Sequence, residues 1–304
     1  MLERYEMETF LTLAEELHFG RTAERLGVST GRISQTVKKL ERRVGTPLFE
    51  RTSRRVLLTP VGRRLYDELL PAHRQILAAL ERATAAGRGV RGTLRVGFGT
   101  PWDGELLSAA ADKLLAGHPG CEVTVREVPL DAGFRPLLDG ALDVQLTVFP
   151  AREPGLTAGP VLAEEPRVLL VPAGHALARR DSVGLEDLAG VPMVTTAGAH
   201  PGHWLDAHYP RRTPSGAAIP RGPVASTWQE VLSHVSAGRG VSPGAARGAA
   251  YHPRPGIAYV PLRDAPPLAY GLVWPTAAEN ALLRAFAAQV ATVAAARGRD
   301  SQGP

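Results

Sequence analysis

Between Ser29 and Arg42 the chain gathers side chains whose chemistry suits a polyanion. Ser29, Thr30, Arg32, Ser34, Gln35, Thr36, Lys38, Lys39 and Arg42 offer hydrogen-bond donors, and Glu41 is the only acid among them. Arginine's rigid fork can bond both acceptors of guanine, and glutamine can do the same for adenine, so Arg32 and Gln35 carry the chemistry for reading base edges. Lys38, Lys39 and Arg42 suit phosphates, whose contacts place a protein on a duplex without reading its sequence. Further along, Arg51, Arg54 and Arg55 surround a polar turn with cations. Cations at such a tip suit a wing on the sugar-phosphate backbone.

Three other groupings suggest chemistry and fall to simpler readings. Gly240-Val241-Ser242-Pro243-Gly244 has the spacing of a hydrolase nucleophile elbow. That mechanism takes an oxyanion-hole amide from the residue after the serine, and Pro243 has none. His200, His203 and His208, with Asp206, match no ordinary metal spacing and lie in a stretch that reads as loop. Glu164 and Glu165 are neighbours that an extended strand would point to opposite faces, which makes them hinge residues rather than a catalytic pair. Cys121 is the only cysteine, so no internal disulfide can form, and a small core residue is its simplest role. No catalytic residue, cofactor or metal ligand is assigned, and the chain is read as a protein that is not an enzyme.

The elements that must position the cationic residues are legible. Ile33, Val37, Leu40 and Val44 recur at helical steps and define one buried stripe. Ala23 and Leu26 close a short preceding helix, Gly27 suits its left-handed end, and Ser29 suits the N-cap of the next. Two helices joined this tightly make a helix-turn-helix, whose second helix meets base edges with its N-terminal residues. Gly45, the β-prone runs 48–51 and 56–58, and the polar turn 52–55 follow as a hairpin. Thr59 then caps a new helix with Pro60 at its first position. From 60 to about 86, Val61, Leu65, Leu69, Ala72, Ile76, Ala79 or Leu80, and Ala83 form a seam suited to pairing with a partner helix. Pro71 predicts a bend or break near Leu70. The glycine-rich run 87–92 is a hinge.

The rest alternates strands and helices: strands at 93–98, 122–128 and 144–149 with helices at 104–116 and 134–138 between them. That order implies a parallel sheet. A second set follows at 167–171, 185–188, 193–196, 228–236, 241 and 257–260, then a returning strand at 269–274 and an alanine-rich helix at 278–296. Charge divides the same way. Residues 1–91 hold 17 Lys and Arg against 11 Asp and Glu, whereas the remainder holds 18 against 19. The basicity therefore belongs to the N-terminal third, as a DNA footprint requires. No stretch has the length and apolarity of a signal peptide or a membrane span, so a cytoplasmic location is expected.

The run from Arg21 to Gly62 resembles the N-terminal module of LysR-type transcriptional regulators. It carries, in order, Ala-x-x-Leu, Val-Ser, Ile-Ser, Lys-x-Leu-Glu, Gly-x-x-Leu-Phe-x-Arg and Leu-Thr-x-x-Gly. Thr30-Gly31 stands where the family commonly has Gln-Pro, and Gln35 where it commonly has arginine; both departures fall at the base-reading end. The looser match after residue 90 resembles the family's effector-binding region. The resemblance implies a winged helix-turn-helix domain at 1–59 and a linker and dimerisation helix with a hinge at 60–91. It implies a periplasmic-binding-protein-like α/β domain at 92–304, with one lobe at 92–163 and 267–304 and the other at 164–266. The chain would cross between the lobes near 163–166 and 264–267. Ligands of open α/β sheets bind at the carboxyl ends of strands and at helix N-termini. That rule, with the family's pocket threonine matching Thr100, selects Thr100, Pro101 and Trp102, then Thr147 and Phe149, Thr195 and Thr196, and Trp228. The expected protein is a sequence-specific, double-stranded-DNA-binding transcriptional regulator. It would be a homodimer or homotetramer modulated by a small effector between the lobes. The alternatives are a DNA-architectural protein with a vestigial pocket, and an α/β ligand-binding protein merely localised by its basic module.

Overall fold

Apolar residues at helical spacing build the first of two compact units, Met1–Ala78. The computed structural model describes residues 3–51, 55–85, 90–198 and 200–300. Helices α1 (Arg4–Glu16), α2 (Phe19–Leu26) and α3 (Thr30–Val44) enclose a core of Phe10, Leu13, Ala23, Ile33, Val37 and Leu40. Gly27, at φ 65°, ends α2, and the Ser29 hydroxyl accepts the Arg32 amide at 3.3 Å to start α3. The His18 ring caps α2 by accepting the amides of Gly20 and Arg21. Val44 departs from the expected stripe. It is 41% exposed because Gly45 ends the helix there and the chain turns away.

Strands β1 (Phe49–Arg51) and β2 (Val56–Leu58) pair antiparallel, with Phe49 opposite Leu58 and Arg51 opposite Val56. Thr59 then accepts the Gly62 amide at 3.0 Å and donates to the Pro47 carbonyl at 2.9 Å, which fixes where α4 (Pro60–Ala85) begins. The expected break near Leu70 does not occur, because helix runs continuously through Pro71. Proline removes one amide, and the turns on either side keep their bonds. Leu65, Tyr66, Leu69 and Leu70 pack on the core of this unit, whereas Ile76 and Leu80 are 54% and 61% exposed. Residues 87–89 of the glycine-rich run, and the side chain of Ala83, lie outside the described residues.

The second unit, Ala79–Pro304, holds a five-stranded sheet and, across two crossings from it, a three-stranded sheet with a two-stranded one, Met193–Thr196 beside Arg221–Ala225, in the same lobe. Strand β3 (Gly92–Phe98), helix α5 (Pro101–Gly117), β4 (Cys121–Glu127), α6 (Arg135–Leu138), β5 (Val144–Val148) and β6 (Leu156–Glu165) lead to the first crossing. There follow β7 (Arg167–Pro172), β8 (Met193–Thr196), α7 (Gly202–His208), β9 (Arg221–Ala225), α8 (Trp228–Ser236), β10 (Ser242–Ala245), α9 (Gly248–Tyr251) and β11 (Ile257–Pro261). After the second crossing come β12 (Leu268–Pro275) and α10 (Ala281–Asp300). The larger sheet runs β4-β3-β5-β12-β6, with β3 parallel to β4 and β5, and β12 antiparallel to β5 and β6. Its core joins Leu94, Val96 and Leu146 to Leu106 and Leu107 of α5 and Phe286 of α10.

The second set of strands, whose pairing the sequence left open, is mostly antiparallel. Strand β7 pairs antiparallel with both β10 and β11, and only β8 with β9 is parallel. Helices α5 and α10 also begin three residues away from their expected starts, and 185–188 is a single 3-10 turn. Five elements were absent from the sequence reading: α1, β6, α7, β9 and α9. Helix α7 replaces the loop expected around His203.

A basic helix face and a cleft between two sheets

On α3 the exposed and tied cations separate. Thr30, Arg32, Gln35, Lys38 and Arg42 are exposed and Thr36 half-exposed, with Ser29 at the cap. Ser34 is half-buried, toward the packed side of the helix. The Arg32 guanidinium rests 5.0 Å from the Tyr5 ring centre, and the Thr36 hydroxyl donates back to the Arg32 carbonyl. Lys39 is committed differently from its neighbours. Its ammonium lies 2.9 Å from Glu3 and 3.1 Å from the buried Glu6, which Arg43 also pairs at 2.6 Å. These contacts strap α3 to α1. Glu41, the one acid of the helix, accepts the Leu48 and Phe49 amides, so it anchors the hairpin instead of offsetting the cationic face. Arg55 is exposed beyond the hairpin turn, while Arg54 and the side chain of Arg51 lie outside the described residues.

The second unit holds a cleft of about 640 Å³ bordered by the five- and three-stranded sheets. Of the eight residues selected from sequence, Thr100, Pro101, Thr147 and Trp228 line it. Trp102 does not. Its indole is buried in the core, edge-on to Tyr270 at 5.7 Å and beneath Arg247 at 4.5 Å. Phe149 turns away as well, its ring closing over Gly271, where an added Cβ would lie 2.3 Å from the ring. Thr195 and Thr196 are buried in β8, and the Thr196 hydroxyl bonds the Ala197 carbonyl. A one-residue alternation along a strand decides such outcomes, and strand ends alone do not reveal its phase.

Thr100 caps α5 by accepting the Asp103 amide, while Asp103 accepts the Thr100 amide in return. Asp103 is 1% exposed, and burial pushes its carboxyl up to about 7 against the hydrogen bonds from Thr100. The helix terminus is thus already occupied by the protein's own carboxyl group.

Sequence reasoning missed the opposite wall. His200 stacks on Trp204 at 4.1 Å, Trp204 donates to the Val148 carbonyl at 3.1 Å, and His208 lies 4.3 Å from the same indole. Burial holds His200 below the usual histidine range and takes His208 down to about 3, so both rings are neutral near pH 7. Their shared i, i+4 spacing was the available signal, hidden by flanking prolines. Among the described residues no group of three His, Cys, Asp or Glu is placed to hold a metal ion. Ser242 is fully buried within β10, where its hydroxyl bonds the Pro243 carbonyl, far from an elbow's exposed geometry. At the first crossing Glu164 is exposed and Glu165 buried, and Glu165 pairs with Arg247 at 2.6 Å.

Fold and sites together define a class: a winged helix-turn-helix followed by an α/β body of the periplasmic-binding-protein kind. Residues 5–63 match the model of bacterial regulatory helix-turn-helix proteins of the lysR family, and 87–295 that of the LysR substrate binding domain. The transcriptional regulator IlvR of Caulobacter vibrioides is 33% identical over 273 residues, 87% of this chain and 89% of IlvR. The uncharacterized HTH-type transcriptional regulator YnfL of Escherichia coli is 34% identical over 200 residues, 64% of this chain and 65% of YnfL. That alignment stops short of two thirds of the relative's length. Full-length CbnR, a LysR family transcriptional regulator, shares the fold at a TM-score of 0.62 and 22% identity, across 96% of this chain and 99% of CbnR. The chain belongs to the LysR family.

Proposed function

We propose that this protein is a sequence-specific DNA-binding transcriptional regulator whose affinity for its operator is set by a small molecule in the α/β cleft. The reading rests above all on α3, whose exposed side offers Arg32, Gln35, Lys38 and Arg42 while its one acid and the cations Lys39 and Arg43 are engaged elsewhere. Residues 1–59 read DNA, 60–91 pair two chains through α4, and 92–304 respond to the ligand. The lobes of that last part are 92–163 with 267–304, and 164–266. Homodimers, or tetramers built from them, place two reading helices on the halves of a near-symmetric site. The ligand acts by binding one arrangement of the lobes better than another, since equal affinity would shift nothing. The protein works by binding, without catalysis or a cofactor, in the cytoplasm.

Footprinting and gel shifts test the reading with the full chain, the DNA upstream of its own gene, and random duplex. The upstream DNA is expected to be preferred. Replacing Arg32 and Gln35 together by alanine relaxes that preference, whereas Lys38→Ala weakens all duplexes alike and lowers the salt slope by about 1. Equal affinity for upstream and random DNA overturns the proposal.

A further inference from the structure

The cleft contains a cation that no described carboxylate neutralises. Arg167 opens β7 immediately after the first crossing and is only 8% exposed, yet it lines the cleft. Its Nε donates to the carbonyl of Pro266, in the second crossing, at 2.7 Å. Among the described residues no carboxylate pairs with it, and its electrostatic neighbours are the Tyr209 and Tyr270 phenols, which burial keeps protonated. The buried carboxyls nearby are committed. Glu165 pairs with Arg247, and Asp103 sits on the end of α5. A buried guanidinium without a counter-charge is unfavourable unless something else supplies one.

A second observation points to the same space. Asp103 Oδ1, Gln145 Oε1, His200 Nδ1 and His208 Nε2 are buried without a hydrogen-bond partner, and all four residues line this cleft. Buried polar atoms are ordinarily satisfied, so four unsatisfied ones in residues that line one cavity mark its walls as polar ground the protein alone does not complete. The rest of the lining is mostly apolar or aromatic, with Leu130, Phe134, Trp204 and Trp228 prominent, while Thr100, Thr147, Thr227, Gln229, His252 and the exposed Glu127 complete it. A single cation balances a single negative charge, and apolar walls favour an apolar body beside it.

Resting on the reading of the cleft as the effector site, we propose that its ligand is a small monocarboxylate with an apolar or aromatic body, its carboxylate seated on Arg167. Arginine holds carboxylate through two parallel bonds, a geometry that a neutral amide cannot match. Because Arg167 also holds Pro266, the ligand's charge bears directly on the two crossings that set the angle between the sheets.

The test titrates the full-length protein with benzoate, cinnamate, 3-phenylpropanoate and hexanoate, each beside its primary amide. Quenching of tryptophan fluorescence reports occupancy, since Trp204 and Trp228 form part of the wall. At least one acid binds, and its amide binds roughly 10- to 100-fold more weakly. Arg167→Gln removes the distinction between acid and amide, and Arg167→Lys retains part of it. The comparison within the parent protein stands even if a variant fails to fold. Equal binding of acids and amides, or no acid binding up to about 5 mM, overturns the assignment. Amides that bind while Thr147→Trp blocks them leave the cleft as the ligand site and remove only the carboxylate. Acid binding that survives both Arg167→Gln and Thr147→Trp places the ligand elsewhere and sinks the cleft reading itself.

Discussion

Asp103 and His208 border the same cleft, and burial drives their protonation in opposite directions. Asp103 rises from 3.8 to about 7, so between those values the folded chain holds a proton that the unfolded chain releases. Its contribution to stability is whole below about pH 4 and is lost as pH rises through 7, on the order of 4 kcal/mol. Relative to the parent, Asp103→Asn should therefore gain stability as pH rises across that window. His208 falls from 6.5 to about 3, which reverses the sign. Its contribution is whole above about pH 6.5 and is lost as pH falls toward 3. His208→Gln should gain on the parent as acidity increases. Denaturant melts of the three proteins from pH 4 to 8 check both trends, and parallel pH profiles would refute them. Neither residue was legible as part of a site. Thr100 was, because it follows a strand end, precedes a helix and matches the family's pocket threonine; its partner Asp103 needed the burial that only the fold supplies.

Among elements, helices carried their own evidence. Ile33, Val37 and Leu40 are all nearly inaccessible, as a single-stripe period requires, and the hairpin register follows from its two short β-prone runs. Strand β6 was invisible because Gly159 and Pro160 interrupt it. An edge strand tolerates proline where pairing slips, and β6 is the last strand of its sheet with register shifts opposite Gly271. Strand β9 hides in the same way behind Gly222 and Pro223. One motif position acquires a physical reason: a Cβ on Gly62 would lie 2.0 Å from the Leu48 carbonyl oxygen, at the join of hairpin and α4. Alanine's higher helix propensity is worth about 1 kcal/mol, but backbone cannot yield as a side chain can. Gly62→Ala is expected to destabilise the N-terminal unit by roughly 1–3 kcal/mol in thermal melts. Farther along α4, Ile76→Glu with Leu80→Glu should leave folding intact and shift sedimentation toward monomer, since both positions are exposed. An unchanged dimer would assign the seam another role.

At the scale of the whole molecule, the cationic excess and the cleft proposed to hold an acid belong to different parts of one chain. Binding energies coupled through a shared equilibrium are reciprocal. If an acid changes operator affinity by some factor, saturating operator DNA must change that acid's affinity by the same factor. Calorimetric titration of the acid with and without DNA measures that factor, and an acid affinity that operator DNA leaves unchanged would mean the acid does not modulate operator binding. Division of labour within α3 has a further consequence. Glu41, Lys39 and Arg43 hold the helix to its hairpin and to α1, while Gln35, Lys38 and Arg42 are exposed and Arg32 meets that scaffold only at the Tyr5 ring. The module can consequently drift, or be engineered, toward new operators by exchanging surface letters alone, with the architecture indifferent to the message.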